Sequence, residues 1–115
     1  MNRILAVATV PQEGDHAVFC TRDYDTARAD LIRVCTELRE AVETAGRQIE
    51  AIHVVSCVAR GAHLFGAPGA ELELIRHNLG DAPLIGFAAG GELADRHMYA
   101  YSGVLTLFTS PVSAA

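Results

Sequence analysis

The chain has 115 residues, enough for one compact domain and too few for two. Half of the residues are apolar and a fifth are charged, a globular composition that argues against a disordered or fibrous chain. The net charge of −5 and nine scattered basic residues, all of them Arg, argue against nucleic acid as a partner because phosphate binding needs a concentrated positive patch.

The first 20 residues are predicted to form a β-hairpin. Residues 4–10 and 16–20 are rich in residues that favour strands, and Pro11 and Gly14 between them are typical of a turn. The apolar run before Pro11 is too short to span a membrane, and it lacks a signal-peptide cleavage pattern.

An amphipathic helix is predicted next. Residues 21–25 offer several side chains that can cap its start, and Gly46 suits its end. Apolar residues then recur in steps of three and four, which places them on one face of a helix: Ala27, Leu31, Val34, Leu38 and Ala41.

The second half of the chain alternates strands with one more helix. Residues 49–57 are almost continuously apolar and predict an interior strand. A helix is predicted to start near Pro68 and to end at Gly80, with Leu72, Ile75 and Leu79 on its inner face. Strands are predicted over residues 83–89 and 97–108.

The predicted order ββαβαββ gives an α/β fold, a two-layer sandwich in which two helices cover one face of a mixed sheet. Residues 1–109 form this single domain, and residues 110–115 are expected to be a flexible tail. The second face of the sheet would be left for a second copy or another domain if it is apolar.

The three cysteines, Cys20, Cys35 and Cys57, are odd in number and widely spaced, so no disulfide framework is expected. This pattern favours a reducing, cytoplasmic location. His53, His77 and His97 show no metal-ligand spacing, and no metal site is predicted.

The loop after the interior strand carries the candidate chemistry. Cys57 could be a nucleophile activated by His63 and Arg60, or a small buried residue of the core. Arg60 follows a strand, where α/β sheets bind ligands, and its guanidinium matches a carboxylate or phosphate.

The double glycine before Glu92 suggests a second half of the same site. Arg60 and Glu92 could hold the two ends of an amino acid, or they could neutralise each other. Gly61, His63 and Tyr99 would complete the wall of such a ligand site.

Three segments carry a family resemblance: SCVARGAHLFG at 56–66, NLGDAPLIGFAAGGEL at 78–93 and YAYSGVLTLF at 99–108. They resemble the C-terminal FIST domain of F-box and intracellular signal transduction proteins. The resemblance covers most of the chain, which corresponds to only the C-terminal part of a usual FIST region.

The resemblance implies a sensory module that binds a small ligand such as an amino acid, without catalytic residues. It also implies a homo-oligomer or a separately encoded partner domain. Haem held at a subunit interface, with His63 or His97 as its ligand, is an alternative cofactor. A cysteine-dependent enzyme and a ligand-free assembly module are the alternative functions.

Overall fold

The computed structural model describes residues 3–7 and 9–113. Its elements, in chain order, are α1 (Tyr24–Thr44), β1 (Arg47–Cys57), a 3₁₀ turn (Val58–Arg60), α2 (Ala62–Phe65), α3 (Ala70–Leu79), β2 (Leu84–Ala89), β3 (Glu92–Ala94), β4 (His97–Tyr99) and β5 (Gly103–Pro111). No helix among these residues is both long enough and apolar enough to cross a membrane.

Helix α1 starts at a capping box, in which two residues satisfy each other's backbone N–H groups. The Asp23 carboxylate accepts from the backbone N–H of Thr26 at 2.9 Å, and the Thr26 hydroxyl oxygen accepts from the backbone N–H of Asp23 at 3.3 Å. The buried residues of α1 are Leu31 and Cys35. Cys35 was not part of the predicted apolar stripe, while Ala41 of that stripe is exposed.

Strand β1 is the centre of the main sheet, parallel to β2 on one side and antiparallel to β5 on the other. Its buried residues Ile52 and Val54 face the helices. The core therefore forms between one face of the sheet and the helix layer, and its buried members are Leu31, Cys35, Ile52, Val54, Leu64, Phe65, Ile75 and Leu79.

The predicted α/β class and the mixed sheet are confirmed, and both long helices lie where periodicity placed them. A third, one-turn helix, α2, occupies the loop after β1. A separate two-stranded sheet pairs β3 with β4, so Glu92 lies opposite Tyr99.

The predicted N-terminal hairpin is wrong as to its strands. The turn is present, with the backbone N–H of Asp15 donating to the Gln12 carbonyl at 3.1 Å, but the described residues before α1 contain no strand and are exposed. The physical reason is that no sheet edge or apolar layer meets them, and an isolated hairpin is marginally stable in water.

The predicted strand over residues 97–108 is also wrong in extent, because it is two strands. Tyr101 adopts a positive φ of 58°, which breaks the extended backbone between β4 and β5. Strand β5 then continues to Pro111, so residues 110 and 111, predicted as tail, pair with the start of β1. Residues 114–115 of that tail lie outside the described residues.

Candidate functional site

A cavity of about 270 Å³ opens at the carboxyl ends of β1 and β2, on the helix side of the sheet. Its wall includes Ser56 of β1, Arg60 and Phe65 of the following loop, Glu71 of α3 and Gly86 of β2. Parallel strands of α/β sheets commonly bind ligands at this end. The cavity therefore lies where the fold class leads one to look for a ligand.

Arg60 and Glu71 form an ion pair on the cavity wall. Nε of Arg60 donates to Oε1 of Glu71 at 2.9 Å, and Nη2 lies 2.8 Å from the same oxygen. The two side chains are only 16% and 12% exposed, so the pair is largely shielded from solvent. The Ser56 hydroxyl donates to the second carboxylate oxygen, Oε2, at 2.6 Å. The carboxylate is thus held at both oxygens.

Local structure explains why these groups meet. Glu71 lies in the first turn of α3, where a carboxylate interacts favourably with the positive end of the helix dipole. The Arg60 guanidinium lies 5.3 Å from the centre of the Phe65 ring, within cation–π range. Gly103 of β5 lies beside the pair, because a Cβ built there would be 3.4 Å from Arg60 Nε.

Gly86 allows the two parallel strands and α3 to approach closely beside the cavity. A Cβ at this position would lie 2.8 Å from the Val54 carbonyl oxygen and 3.6 Å from a methyl group of Leu72. The first distance is shorter than any normal contact. Only glycine fits here without movement of the neighbouring strand.

Glu92 lies elsewhere, in β3, and does not line the cavity. It is 2% exposed, and its Oε2 accepts from the Ser102 hydroxyl at 2.7 Å. Its other oxygen, Oε1, has no hydrogen-bond partner among the described residues. Arg60 is paired with Glu71 and Glu92 with Ser102, so the structure does not pair Arg60 with Glu92.

The remaining predicted site residues are divided between the cavity and its surroundings. Gly61 lines the cavity. His63 is exposed, and its Nε2 lies 2.6 Å from the Ala59 carbonyl oxygen. Tyr99 is part of β4 and is outside the cavity wall.

Sequence reasoning missed Ser56 and Glu71 as site residues. Glu71 falls within the helix predicted from Pro68 to Gly80, and nothing in that prediction assigned it to the site. A carboxylate in the first turn of a helix that follows an arginine-bearing loop is a signal that could have identified the pair, since both groups lie at the same end of the sheet.

The cysteines differ sharply in their surroundings. Cys57 is buried at the end of β1 and contributes to the cavity wall, and its backbone N–H donates to the Ser102 carbonyl at 2.8 Å. Burial raises the pKa of the Cys35 thiol to about 11. Cys20 is exposed. The described part of the chain holds no cluster of three or more metal-ligating side chains.

Comparison with known proteins identifies a family. The model of the FIST C domain matches residues 1–95. Neither a curated protein nor a solved structure matches the chain. Since the matched region covers most of the sequence, the chain belongs to the FIST C domain family.

Proposed function

We propose that the chain binds a small polar metabolite, with an amino acid as the expected ligand, in the cavity beside Arg60. The observation that carries this proposal is a largely buried guanidinium on the wall of a cavity at the carboxyl ends of two parallel strands. The volume of about 270 Å³ lies below the roughly 300–1,000 Å³ typical of sites for drug-sized ligands. A metabolite of a few heavy atoms fits that size.

The ion pair offers groups for both ends of a zwitterion. Arginine has five N–H donors, and the hydrogen bond to Glu71 uses one of them, so four remain for a carboxylate. The Glu71 carboxylate and the Ser56 hydroxyl oxygen offer lone pairs to an ammonium group. Glu71 thereby takes the role that the sequence suggested for Glu92.

The rest of the wall suits the side chain of such a ligand. Val54, Phe65 and Leu72 supply apolar surface beside the charged pair. This combination of a mostly apolar wall with a few convergent polar groups is the usual composition of a small-molecule site. We therefore expect small or medium apolar amino acids to bind better than large charged ones.

Calorimetric titration with the free amino acids, together with their N-acetyl and carboxamide derivatives, tests the proposal. We expect a free amino acid to bind and each blocked derivative to bind at least tenfold more weakly. Arg60→Lys, which keeps the charge but not the planar fork, should weaken binding similarly. Arg76→Lys, on the exposed side of α3, is the matched control and should not change it.

Amide chemical shifts locate the ligand in the same experiment. Perturbations at Ser56, Gly61 and Glu71 would support the proposal. Absence of binding by the whole panel, or perturbations confined to other surfaces, would contradict it.

For Cys57 we propose no catalytic role, although it contributes to the cavity wall. A thiol nucleophile needs a base within reach, and among the described residues no hydrogen bond joins the Cys57 thiol to His63, whose Nε2 lies 2.6 Å from the Ala59 carbonyl oxygen. Reaction of Cys57 with iodoacetamide at neutral pH faster than that of a free thiol would revive the enzyme alternative. Three free cysteines also suit the cytoplasmic location that we propose.

A further inference from the structure

The sheet face opposite the helices carries no charged side chain at its centre. Cross-strand register places His53 beside Ile85 and Thr106, and Val55 beside Phe87 and Val104. Side chains opposite one another in register share a face. We call this surface the open face, and it consists of Ala51, His53, Val55, Ile85, Phe87, Val104, Thr106 and Phe108.

Large apolar side chains on the open face are exposed: Ile85 by 70%, Phe87 by 58% and Phe108 by 57%. Ile85 and Phe108 flank an open groove of about 430 Å³, whose floor includes Ala51 and His53. On a sheet with one face in solvent, the side chains of that face are normally polar or charged. An uncharged, grooved face of this kind indicates a surface that another protein layer covers.

The residues before α1 form a second exposed apolar surface. We call residues 3–7 and 9–22 the arm, and every described residue in it is exposed. Its apolar side chains are exposed by more than half: Ile4, Leu5, Val7, Val10, Val18 and Phe19. Its acidic residues, Glu13 and Asp15, lie at its turn, so the two stretches on either side are uncharged apart from Arg3 and Arg22 at the ends.

We propose that two copies of the chain form a dimer in which each arm covers the open face of the other copy. The two surfaces are complementary because both are apolar and uncharged. Within a single chain, the arm and the open face do not contact each other. The arm leads into α1, which packs against the opposite face of the sheet, and Arg22 at its end is held by the Ala59 carbonyl at 2.9 Å.

The available area suits a stable dimer. Taking roughly 150–200 Å² for a fully exposed aliphatic or aromatic side chain, the apolar residues of the arm expose on the order of 800 Å², and those of the open face about 350 Å². A standard interface buries about 800 Å² per partner. Because an arm can bury only about as much area as the open face that it covers, each copy contributes about 350 Å² from its arm and about 350 Å² from its open face. The sum of roughly 700 Å² lies within the usual range of about 600–1,000 Å² per partner.

Mass measurement on the full chain is the first test. One chain is 12.2 kDa, and sedimentation velocity should give twice that mass. Ile85→Glu on the open face and Phe19→Asp in the arm should each raise the dimer dissociation constant at least tenfold. Leu93→Glu is the matched control: Leu93 is equally exposed, at 72%, but lies in the β3–β4 sheet.

A cross-linking test identifies which chain's arm covers the open face. Cys20 is an exposed thiol in the arm, while the other two cysteines are buried. The wild-type chain is mixed with a Cys20→Ser, Thr106→Cys chain, whose new thiol lies on the open face, and is treated with a bismaleimide. We expect a covalent dimer that joins Cys20 of one chain to position 106 of the other.

Three results would overturn the proposal. One is a monomer at micromolar concentration. Another is a dimer that Ile85→Glu dissociates but Phe19→Asp does not, which would mean face-to-face contact without the arm. The third is a link only within one chain when Thr106→Cys is placed in a chain that keeps Cys20, which would mean that the arm covers its own open face.

Discussion

Neutralising Glu71 is the sharpest test of the ion pair on the cavity wall. Glu71→Gln keeps the shape of the side chain, and an amide oxygen can still accept from Ser56 or Arg60. It removes the counter-charge of a guanidinium that is only 16% exposed. Hydrogen bonds to charged groups are worth about 1.5–3 kcal/mol, so we expect the free energy of unfolding to fall by about that amount.

A double-mutant cycle separates the pair from its surroundings. Arg60→Met keeps most of the aliphatic stem beside Phe65, and the double variant Arg60→Met, Glu71→Gln has neither charge. We expect a coupling energy of about 1–3 kcal/mol between the two positions. Urea unfolding is measured in the Ile85→Glu background and at one protein concentration, because dimer formation would otherwise add to the apparent stability.

The exposed pair of Arg33 and Glu37 on α1 provides the reference, with side chains 57% and 62% exposed. Such i, i+4 pairs are typically worth about 0.3–0.5 kcal/mol. A coupling energy between Arg60 and Glu71 no larger than that of this surface pair would refute the reasoning, because the pair would then be solvated and its burial without consequence.

Three further outcomes are expected. Asp23→Ala should lower the urea midpoint at neutral pH and lower it progressively less as the pH falls below about 4, because the hydrogen bond from the backbone of Thr26 lowers the pKa of Asp23, and that stabilisation is lost as the pH falls through the folded value. The pKa of Cys35 is raised to about 11, so stability should decline as the pH rises from 9 towards 11, and Cys35→Ala should remove that decline. Gly86→Ala should cost about 1–3 kcal/mol in urea unfolding, because its Cβ would lie 2.8 Å from a carbonyl oxygen of β1; an unchanged midpoint would show that the strands can separate at no cost.

The helices and the central strands were predictable because their signals are local. The apolar spacing along α1 and α3, with a capping residue before α1 and a glycine after each helix, depends on neighbours within a few turns. The absence of strands before α1 was not predictable, because strand-forming residues need a partner edge and the sequence does not specify one. Tyr101, which adopts a positive φ without being glycine, gave no local sign of the break between β4 and β5.

The candidate site was also only partly predictable from the sequence. The position of Arg60 after a buried strand predicted that it lies at the carboxyl end of that strand, and Arg60 lines the cavity there, because sheet topology fixes which ends of the strands meet. Its partner was not fixed by that rule. Glu92 follows the end of β2 in the sequence, whereas Glu71 lies in the first turn of α3, and only the packing of α3 against the sheet brings Glu71 to the guanidinium.

The loop after β1 connects the two proposals. The Ala59 carbonyl accepts from Arg22 at the end of the arm, and the next residue, Arg60, lines the cavity. Any coupling between ligand and dimer must be reciprocal, so a ligand that strengthens the dimer must also bind the dimer more tightly than the monomer. Titrating the same amino acid into wild type and into the Ile85→Glu monomer therefore measures the coupling free energy between ligand binding and dimer formation. Equal affinities would mean that ligand binding and arm exchange are independent properties of the domain.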